Sequence, residues 1–461
     1  MLKLAALCLF IKSILLTINI EVKKTIATVE HIVEESYRLK LHNDTKRKLS
    51  KISFKLRDDM FDKLRIIHTS EAARNVTCTS VIDTNGFAIN FEEPKLPNEQ
   101  FMVTIKLYYY ELLTFKPNKI GMKEDQKVEL ADHMMNIEFD EQYSIKTWAA
   151  MYVLHNESEK HDKNLVYIYK VSEDGYHEYG MEPYVEDEGS VFENKPISFY
   201  FVMNKPFDLF LRTERTVSLS MWGNVKEENR FFAMNQGATL DGEYSNIDFH
   251  AGDFATGKNA LRWITTRLPA DIWGLSIFDE VGNITKPVAY KEKGSIKLNL
   301  IPRFSLFGGW KANWFINYNQ KSSKFLKESV TDSTLFVFSY PLPYMFDIVL
   351  SEEYVIKICL PEYSEVLHVN MNYDYVSSEV VRERGLFELF GKNCHQYTFI
   401  NYLPDIFKKD FEIVFRYNRF FLWSKLFYLI GIVFIGFMVV FMLLRLDFSF
   451  EQTTKAKVKT D

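Results

Sequence analysis

From Leu426 to Leu444 the chain runs for nineteen residues without a charge and is closed by Arg445. At 1.5 Å of rise per residue such a helix reaches about 28 Å, close to the roughly 30 Å of a bilayer's hydrocarbon core. A buried helix of a globular protein seldom runs that far without a polar face. The segment 426–444 therefore reads as a transmembrane helix, and everything upstream of it must fold on one side of a membrane.

The opposite end sets which side. Lys3 precedes a largely apolar run from Leu4 to Ile20, which ends at the polar Glu21-Val22-Lys23-Lys24. Lys12 divides that run into pieces too short to cross a bilayer, so residues 1–20 read as a signal peptide cleaved near Glu21. Basic residues flank the span on both sides, with Lys408, Lys409, Arg416, Arg419 and Lys425 before it and Arg445, Lys455, Lys457 and Lys459 after it, so their distribution does not choose an orientation. The signal peptide does: a type I membrane protein is expected, with a short cytosolic tail at 445–461.

The intervening 400 or so residues look globular, since the chain as a whole has 47% hydrophobic and 25% charged residues and only 13 prolines. That length exceeds a single core. Strict alternation recurs at Ile52, Phe54, Leu56; Val103, Ile105, Leu107; Val217, Leu219, Met221; and Phe411, Ile413, Phe415, the period of a half-buried strand. Turn formers such as Asn85-Gly86, Asp174-Gly175 and Asp241-Gly242 separate these runs. The expected fold is mainly β: two antiparallel β-rich domains, at 21–205 and 206–422, followed by the single membrane helix. One short helix is expected over Glu379–Phe390. Once Cys8 leaves with the signal peptide, Cys78, Cys359 and Cys394 remain; an odd count rules out a full disulfide framework, and a Cys359–Cys394 bridge and three packed thiols both stay open.

Catalytic chemistry is hard to find. There is no His-Glu-x-x-His zinc pattern, no Gly-x-Ser-x-Gly elbow and no Asp-x-Asp for a sugar nucleotide. Gly252 to Lys258 spells part of a phosphate loop, but Asn259 stands where the Ser or Thr hydroxyl is needed. Asp58-Asp59 and Glu186-Asp187-Glu188 read as solvated acids, and His155 and His161, with Glu157 and Glu159 between them, as surface residues. No catalytic, metal or cofactor-binding residue is expected. The net charge of -5 carries no basic stripe, which excludes nucleic acid as a partner. Four N-x-S/T sites, at Asn43, Asn75, Asn156 and Asn283, permit glycosylation. At the extreme C-terminus, Lys457 and Lys459 form a Lys-x-Lys-x-x pattern that reads equally as a coat-protein retrieval signal and as a solubilising stub.

The region from Met221 to Trp314 is densest in unusual features. Trp222-Gly223-Asn224 ends a strand, Asp279-Glu280-Val281-Gly282-Asn283 makes a turn, and Pro302-Arg303-Phe304-Ser305-Leu306-Phe307-Gly308-Gly309-Trp310 follows. The paired glycines permit positive φ or close backbone approach, and the tryptophans can cover bare backbone. Together with Arg445-Leu446-Asp447-Phe448-Ser449 after the span and Glu21 to Thr25 at the mature start, these segments resemble the ribophorin I family, the non-catalytic type I subunit of the eukaryotic oligosaccharyltransferase. The resemblance covers nearly the whole mature chain, though Asn43 to Ser220 matches only loosely. It implies two lumenal β-rich domains related to the N-terminal β domain of certain aminopeptidases, residence in the endoplasmic reticulum membrane, and a bracing role for a complex that transfers oligosaccharide en bloc from dolichol pyrophosphate to Asn in N-x-S/T. The implied partners are a catalytic multi-span subunit, small membrane subunits, membrane lipid and a nascent polypeptide held at strand edges or aromatic grooves. Arg445 and Asp447 belong to the family motif, and Gly431 and Gly436 would allow another helix to approach the span, a reading balanced by that of a lipid-facing surface. Animal members continue beyond the span into a cytosolic helical region, so ribosome docking is not expected of a chain ending at Asp461. Two rival classes are a hydrolase, weakened by the missing zinc motif, and a cargo receptor or escort of the early secretory pathway.

Overall fold

Strands form here because the inward phase of each run is apolar and the outward phase polar, so that pairing buries one row of side chains while satisfying the backbone. The computed structural model describes residues 18–446 except 30, 45–46, 72–73, 76, 81–84, 141–142, 162–165, 182, 186–192, 246, 248, 250–257, 285–287, 347–348, 372 and 386–390. In the first half, β1 (Ile18–Val29), β2 (Ile32–His42), β3 (Leu64–Glu71), β4 (Gln100–Tyr109), β5 (Tyr143–Leu154), β6 (Val166–Val171) and β7 (His177–Met181) make one large sheet in the order β6-β7-β5-β1-β2-β4-β3, with short additions at Arg74–Asn75 and Tyr184–Val185. In the second half, β8 (Asp208–Ser220), β9 (Asn224–Asn235), β10 (Trp273–Phe278), β11 (Lys311–Lys321), β12 (Leu350–Cys359), β13 (Ser377–Glu383) and β14 (Lys392–Tyr402) do the same in the order β13-β14-β12-β8-β9-β11-β10. Each number in the second order is the first plus seven.

The correspondence extends to the opposing layer. Leu113–Phe115, Lys127–His133, Pro196–Val202 and Ser158–His161 lie side by side, as do Leu326–Glu328, Leu335–Pro341, Asp410–Arg416 and Glu365–Asn370. Leu49–Leu56, Gly86–Lys95 and Thr77–Ser80 are matched by Ile264–Pro269, Ser295–Leu300 and Val288–Glu292. The chain thus traces one sandwich topology twice. It fills two hydrophobic cores, from Ile18 to Phe207 and from Phe210 to Tyr417.

Several sequence expectations are corrected. The sheets are mixed rather than wholly antiparallel, because β1 pairs parallel with β5 and β8 parallel with β12. A strand that returns after a long excursion through the second layer is free to approach in either direction, unlike a hairpin partner. The Glu379–Phe390 helix is instead the edge strand β13 as far as Glu383, zipped to β14 from Ser377↔Thr398 to Glu383↔Lys392, with 386–390 outside the described residues. Cys359 and Cys394 stand opposite each other on β12 and β14 and are bridged. Ile18 and Ile20, which the expected cleavage near Glu21 would remove, are buried members of β1. The membrane span is helix α1 (Ser424–Arg445), exposed along its length.

Each sandwich encloses a charge cluster. On β1, Lys24 occupies the inward phase between Val22 and Ile26 and is fully buried. Its Nζ donates to Asp132 Oδ2 at 2.7 Å and to the His133 carbonyl at 2.6 Å, and lies 2.9 Å from Glu35 Oε1 on β2. Tyr37 and Tyr109 donate to Glu35, Tyr152 donates to Asp132, and the Asn136 amide bridges both carboxylates. Burial alone would push the Lys24 ammonium down, but the facing carboxylates of Asp132 and Glu35 override it and hold the group above its usual range.

In the second sandwich the same role falls to Arg215 on β8 and Glu227 on β9, paired bidentately at 3.0 and 3.1 Å. The remaining Arg215 nitrogen caps the carbonyls of Pro341, Leu342 and Pro343, and Tyr340 donates to Glu227. Burial would raise the Glu227 carboxyl; Arg215 reverses this and keeps it ionised. Removing one partner strands the other in a dry core. We expect Glu227→Leu to destabilise the protein by about 3–5 kcal/mol, whereas Arg215→Met combined with Glu227→Leu costs far less, since no buried charge is then left alone. A double-mutant cycle read by thermal unfolding in detergent checks this.

Candidate functional site: the joint between the sandwiches

The end of β9 is where the two halves meet. Asn235, fully buried, accepts through Oδ1 from the Phe207 and Gly237 amides at 3.0 and 2.9 Å and donates through Nδ2 to the carbonyls of Asn259 and Leu306. Its backbone accepts from the Gly309 amide at 2.7 Å and donates to the Trp310 carbonyl at 3.1 Å. One side chain therefore ties together the linker, the Pro302–Trp310 signature and the segment before β10. From there Thr239–Leu240 pairs parallel with Lys119–Ile120 of the first half. The buried Gln126 adds its own clasp, accepting from the Ala238 amide and donating to the Met203 and Lys205 carbonyls.

This arrangement explains the signature residue by residue. Gly308 lies so close to the 237–238 backbone that a Cβ there would fall 2.2 Å from the Ala238 carbonyl oxygen. Gly309 has φ +84°, a conformation that favours glycine. Pro302, Leu306 and Phe307 are buried, and Trp310 closes the edge against Phe304, Phe307 and Tyr244. The exposed Arg303 forms a bidentate pair with Asp279, whose carboxylate also accepts from the Val281 and Gly282 amides; the Arg303 guanidinium holds that carboxyl down at about 2. The Asp279–Asn283 turn is thereby fastened to the signature. Gly308→Ala should force the joint open, with a loss on the order of 1–3 kcal/mol and faster proteolysis between the halves, measured by limited digestion of the full chain.

A second contact is apolar. Ile32, Ile66 and Tyr110 pack on Leu209, Leu350 and Leu403, and the Tyr110 hydroxyl donates to the Asp208 carbonyl at 3.0 Å. His31 stands beside this patch against the rings of Tyr110 and Phe207, with neither ring nitrogen bonded among the described residues. Desolvation pushes its imidazole down to about 3 from an ordinary 6.5. Because the folded value lies below the unfolded one, stability is full above about pH 6.5 and falls as the pH drops toward 3. From about pH 7 to about pH 5 this one residue should cost roughly 2 kcal/mol. His31→Phe should remove that part of the slope in unfolding measured across the range.

Beyond the joint opens a cleft of about 540 Å³, lined by Lys205, Arg262, Arg267 and Lys297 with Trp263 on its rim and Asp208 as its acid. Among the described residues no serine, cysteine or histidine lines it. The acids and histidines singled out from sequence are equally plain. Asp59 pairs with Arg57, His155 packs on Tyr176, and His161 packs on Tyr179 and Phe199. Lys258 of the partial phosphate loop pairs with Asp125; Gly252 to Gly257 and Glu186 to Glu188 lie outside the described residues. One Cys-Glu-Cys group, Cys359, Glu383 and Cys394, has ligand spacing, but its two thiols are spent in the disulfide.

Other predicted positions fall elsewhere. Trp222, Gly223 and Asn224 sit at the opposite end of β9, about 36 Å from Asn235 at 3.3 Å per residue. Asn43 is buried, and its amide donates to the carbonyls of Arg47, Lys95 and Leu96. Asn156 spends its amide on the Val202 carbonyl, Asn283 is exposed, and the Asn75 side chain is outside the described set. Among the described residues nothing lies within 4 Å of where a Cβ would stand on Gly431 or Gly436, the helix's own backbone aside. Arg445 caps α1 over the Phe441 ring, and Asp447, Lys457 and Lys459 lie outside the described residues. Lys24, Glu35, Asp132, Arg215, Glu227, Asn235 and Gln126 were not anticipated, although the first two and the Arg215–Glu227 pair carried a readable signal, a charge in the inward phase of an alternating strand.

Tandem sandwiches, a hydrogen-bonded joint and one helix long and apolar enough to cross a membrane give the architecture of a single-pass membrane protein. The chain belongs to the Ribophorin I family, whose model it matches over residues 17–444. It is 32% identical over 182 residues to dolichyl-diphosphooligosaccharide–protein glycosyltransferase subunit 1 of Caenorhabditis elegans, covering 40% of this chain and 31% of that one. With subunit 1A of Arabidopsis thaliana the identity is 27% over 57% of this chain and 42% of the relative, and with subunit 1B of Oryza sativa subsp. japonica it is 24% over 55% and 53%. The matched regions thus span between a third and about half of those relatives. Among solved structures, native yeast LTA4 hydrolase matches with 9% identity over 46% of this chain and 29% of its own, and an M1 zinc metallopeptidase of Deinococcus radiodurans with 6% identity over 46% and 42%; a TM-score of 0.27 in both cases carries no weight for fold or activity.

Proposed function

We propose that this chain is a non-catalytic structural subunit of an oligosaccharyltransferase, supporting transfer of oligosaccharide from dolichol pyrophosphate to Asn of N-x-S/T in nascent proteins. The observation that carries this reading is the family match along nearly the whole ectodomain and span, to relatives named as subunit 1 of that glycosyltransferase. The geometry supports the accessory part. The signature is spent in locking two sandwiches together: its backbone bonds to Asn235, and its charged side chain, Arg303, pairs with Asp279. On this reading the chemistry belongs to a multi-span partner, the sandwiches face the lumen of the endoplasmic reticulum, and α1 packs among neighbouring helices through Gly431 and Gly436.

An acceptor polypeptide has a candidate seat at β6, the outer strand of the first large sheet, where Tyr167, Ile168, Tyr169 and Val171 are all exposed. Unpaired backbone groups at a sheet edge can take up an extended segment as an added strand. The test of the assignment is isolation of the tagged full chain in mild detergent, with partners identified by mass spectrometry, and depletion followed by measurement of sequon occupancy. Co-purification with a multi-span oligosaccharyltransferase subunit and under-glycosylation on depletion are expected. A chain that instead cycles through the Golgi with soluble cargo, leaving occupancy unchanged, is the escort that the alternative describes.

A further inference from the structure

We propose that Trp222 is a membrane-interface anchor, inserting from the tip of the β8–β9 hairpin into the lipid surface beside the root of α1. The hairpin turns through Met221-Trp222-Gly223, with Gly223 at φ +95° and its amide donating to the Ser220 carbonyl at 3.2 Å. The Gly223 carbonyl accepts from the Ser322 amide at 3.1 Å, so the tip is held by the neighbouring turn. Yet the indole it presents is 60% exposed. One exposed ring is ordinary on a protein surface, and this one gains meaning from where the turn stands.

The position supplies the reason. The chain leaves the second core at the buried Tyr417 and passes through a short 3-10 turn, Arg419–Trp423, straight into α1. Phe421 of that turn stacks on Tyr363 at 4.3 Å between centroids, fixing the root of the helix against the sandwich. A small crevice is lined on one side by Leu219, Met221 and Trp222 and on the other by Phe421 and Leu422, which puts the hairpin tip against that root. The uncharged span begins at Leu426, so residues 420–423 lie within about two helical turns of the hydrocarbon boundary.

At that level four exposed side chains are aromatic, Phe420 and Trp423 on the root and Tyr363 and Trp222 on the sandwich, with the exposed Arg419 beside them. Indole and phenol rings, apolar in body and polar at one edge, favour the headgroup region over both water and hydrocarbon. Trp273 stands at the same end of the sheet, paired with Asn319 of β11, itself opposite Lys226 of β9. Trp263, by contrast, lies on the rim of the cleft near the joint, at the far end of β9. A hairpin anchored beside α1 gives the sandwich two points of attachment to the membrane and so resists its rotation about the helix axis. This rests on α1 spanning a bilayer and not on the identity of the complex.

The experiment places the photoreactive benzoylphenylalanine at position 222, 420 or 263 of the full chain, irradiates native membranes, and reads adduct masses on the purified protein. Phospholipid adducts at 222, within a few-fold of the yield at 420 and many-fold above 263, are expected. A protein adduct at 222, which would make the tip a contact for a neighbouring subunit, overturns the proposal, as does the absence of lipid adducts there. Reaction at 420 reports separately on whether the helix root is at the lipid surface.

Discussion

A cation that has been taken out of water must be answered by carboxylates and hydroxyls, and in both halves of this protein the sandwich is organised around that requirement. Lys24 and Arg215 sit on the central strand of their sheets, β1 and β8, and each reaches a glutamate on the adjacent hairpin strand and groups from the opposite layer. Such a cluster adds little net stability compared with a well-packed apolar core, but its geometry is demanding. A register slip of one residue on β1 or β8 would turn the cation out and leave the glutamate alone. The ion clusters therefore act as registration pins for two sheets that are otherwise held by interchangeable Val, Ile, Leu and Phe.

The two sandwiches use the same topology but different chemistry at the pin. Lysine offers a point charge to two carboxylates, with tyrosines filling the remaining acceptor sites, whereas arginine matches one carboxylate in a plane and spends its third nitrogen on three carbonyls. Both solutions end with every carboxylate oxygen bonded. Between them the joint is polar and specific: Asn235 and Gln126 hold backbone groups from both sides, and Gly308 fits only because it lacks a side chain. The second sandwich is thus gripped at one end of β9 by its partner and, on the proposal made above, at the other end by the membrane.

Much of the architecture could be read from residue patterns. Alternation located many strands, the uncharged 426–444 run located the span, and the Pro302–Trp310 segment was recognisable by its order of residues. The repeated topology was not, because a β sandwich constrains only the phase of burial, and two halves can satisfy the same phase with unrelated side chains. The β13 strand was misread as a helix because Glu379 to Phe390 contains good helix formers, and pairing with β14 outweighed that local preference. Asn43 looked like any other sequon, yet its amide is bonded to the carbonyls of Arg47 close by and of Lys95 and Leu96 far along the chain.

What the amino-acid sequence determined by itself was local and periodic: strand against helix, inside against outside, membrane against water, each set by hydropathy over a few neighbouring residues. What only the tertiary structure decided was the pairing of distant groups: that Cys359 faces Cys394, that Lys24 meets Asp132, that Gly308 must admit the Ala238 carbonyl, and that Trp222 lies beside the root of α1. Those partners are separated by tens to more than two hundred residues, and no short-range preference encodes which strand will return beside which. That choice is made when whole sheets close on a shared core, where every buried charge and every close backbone approach has to be satisfied at once.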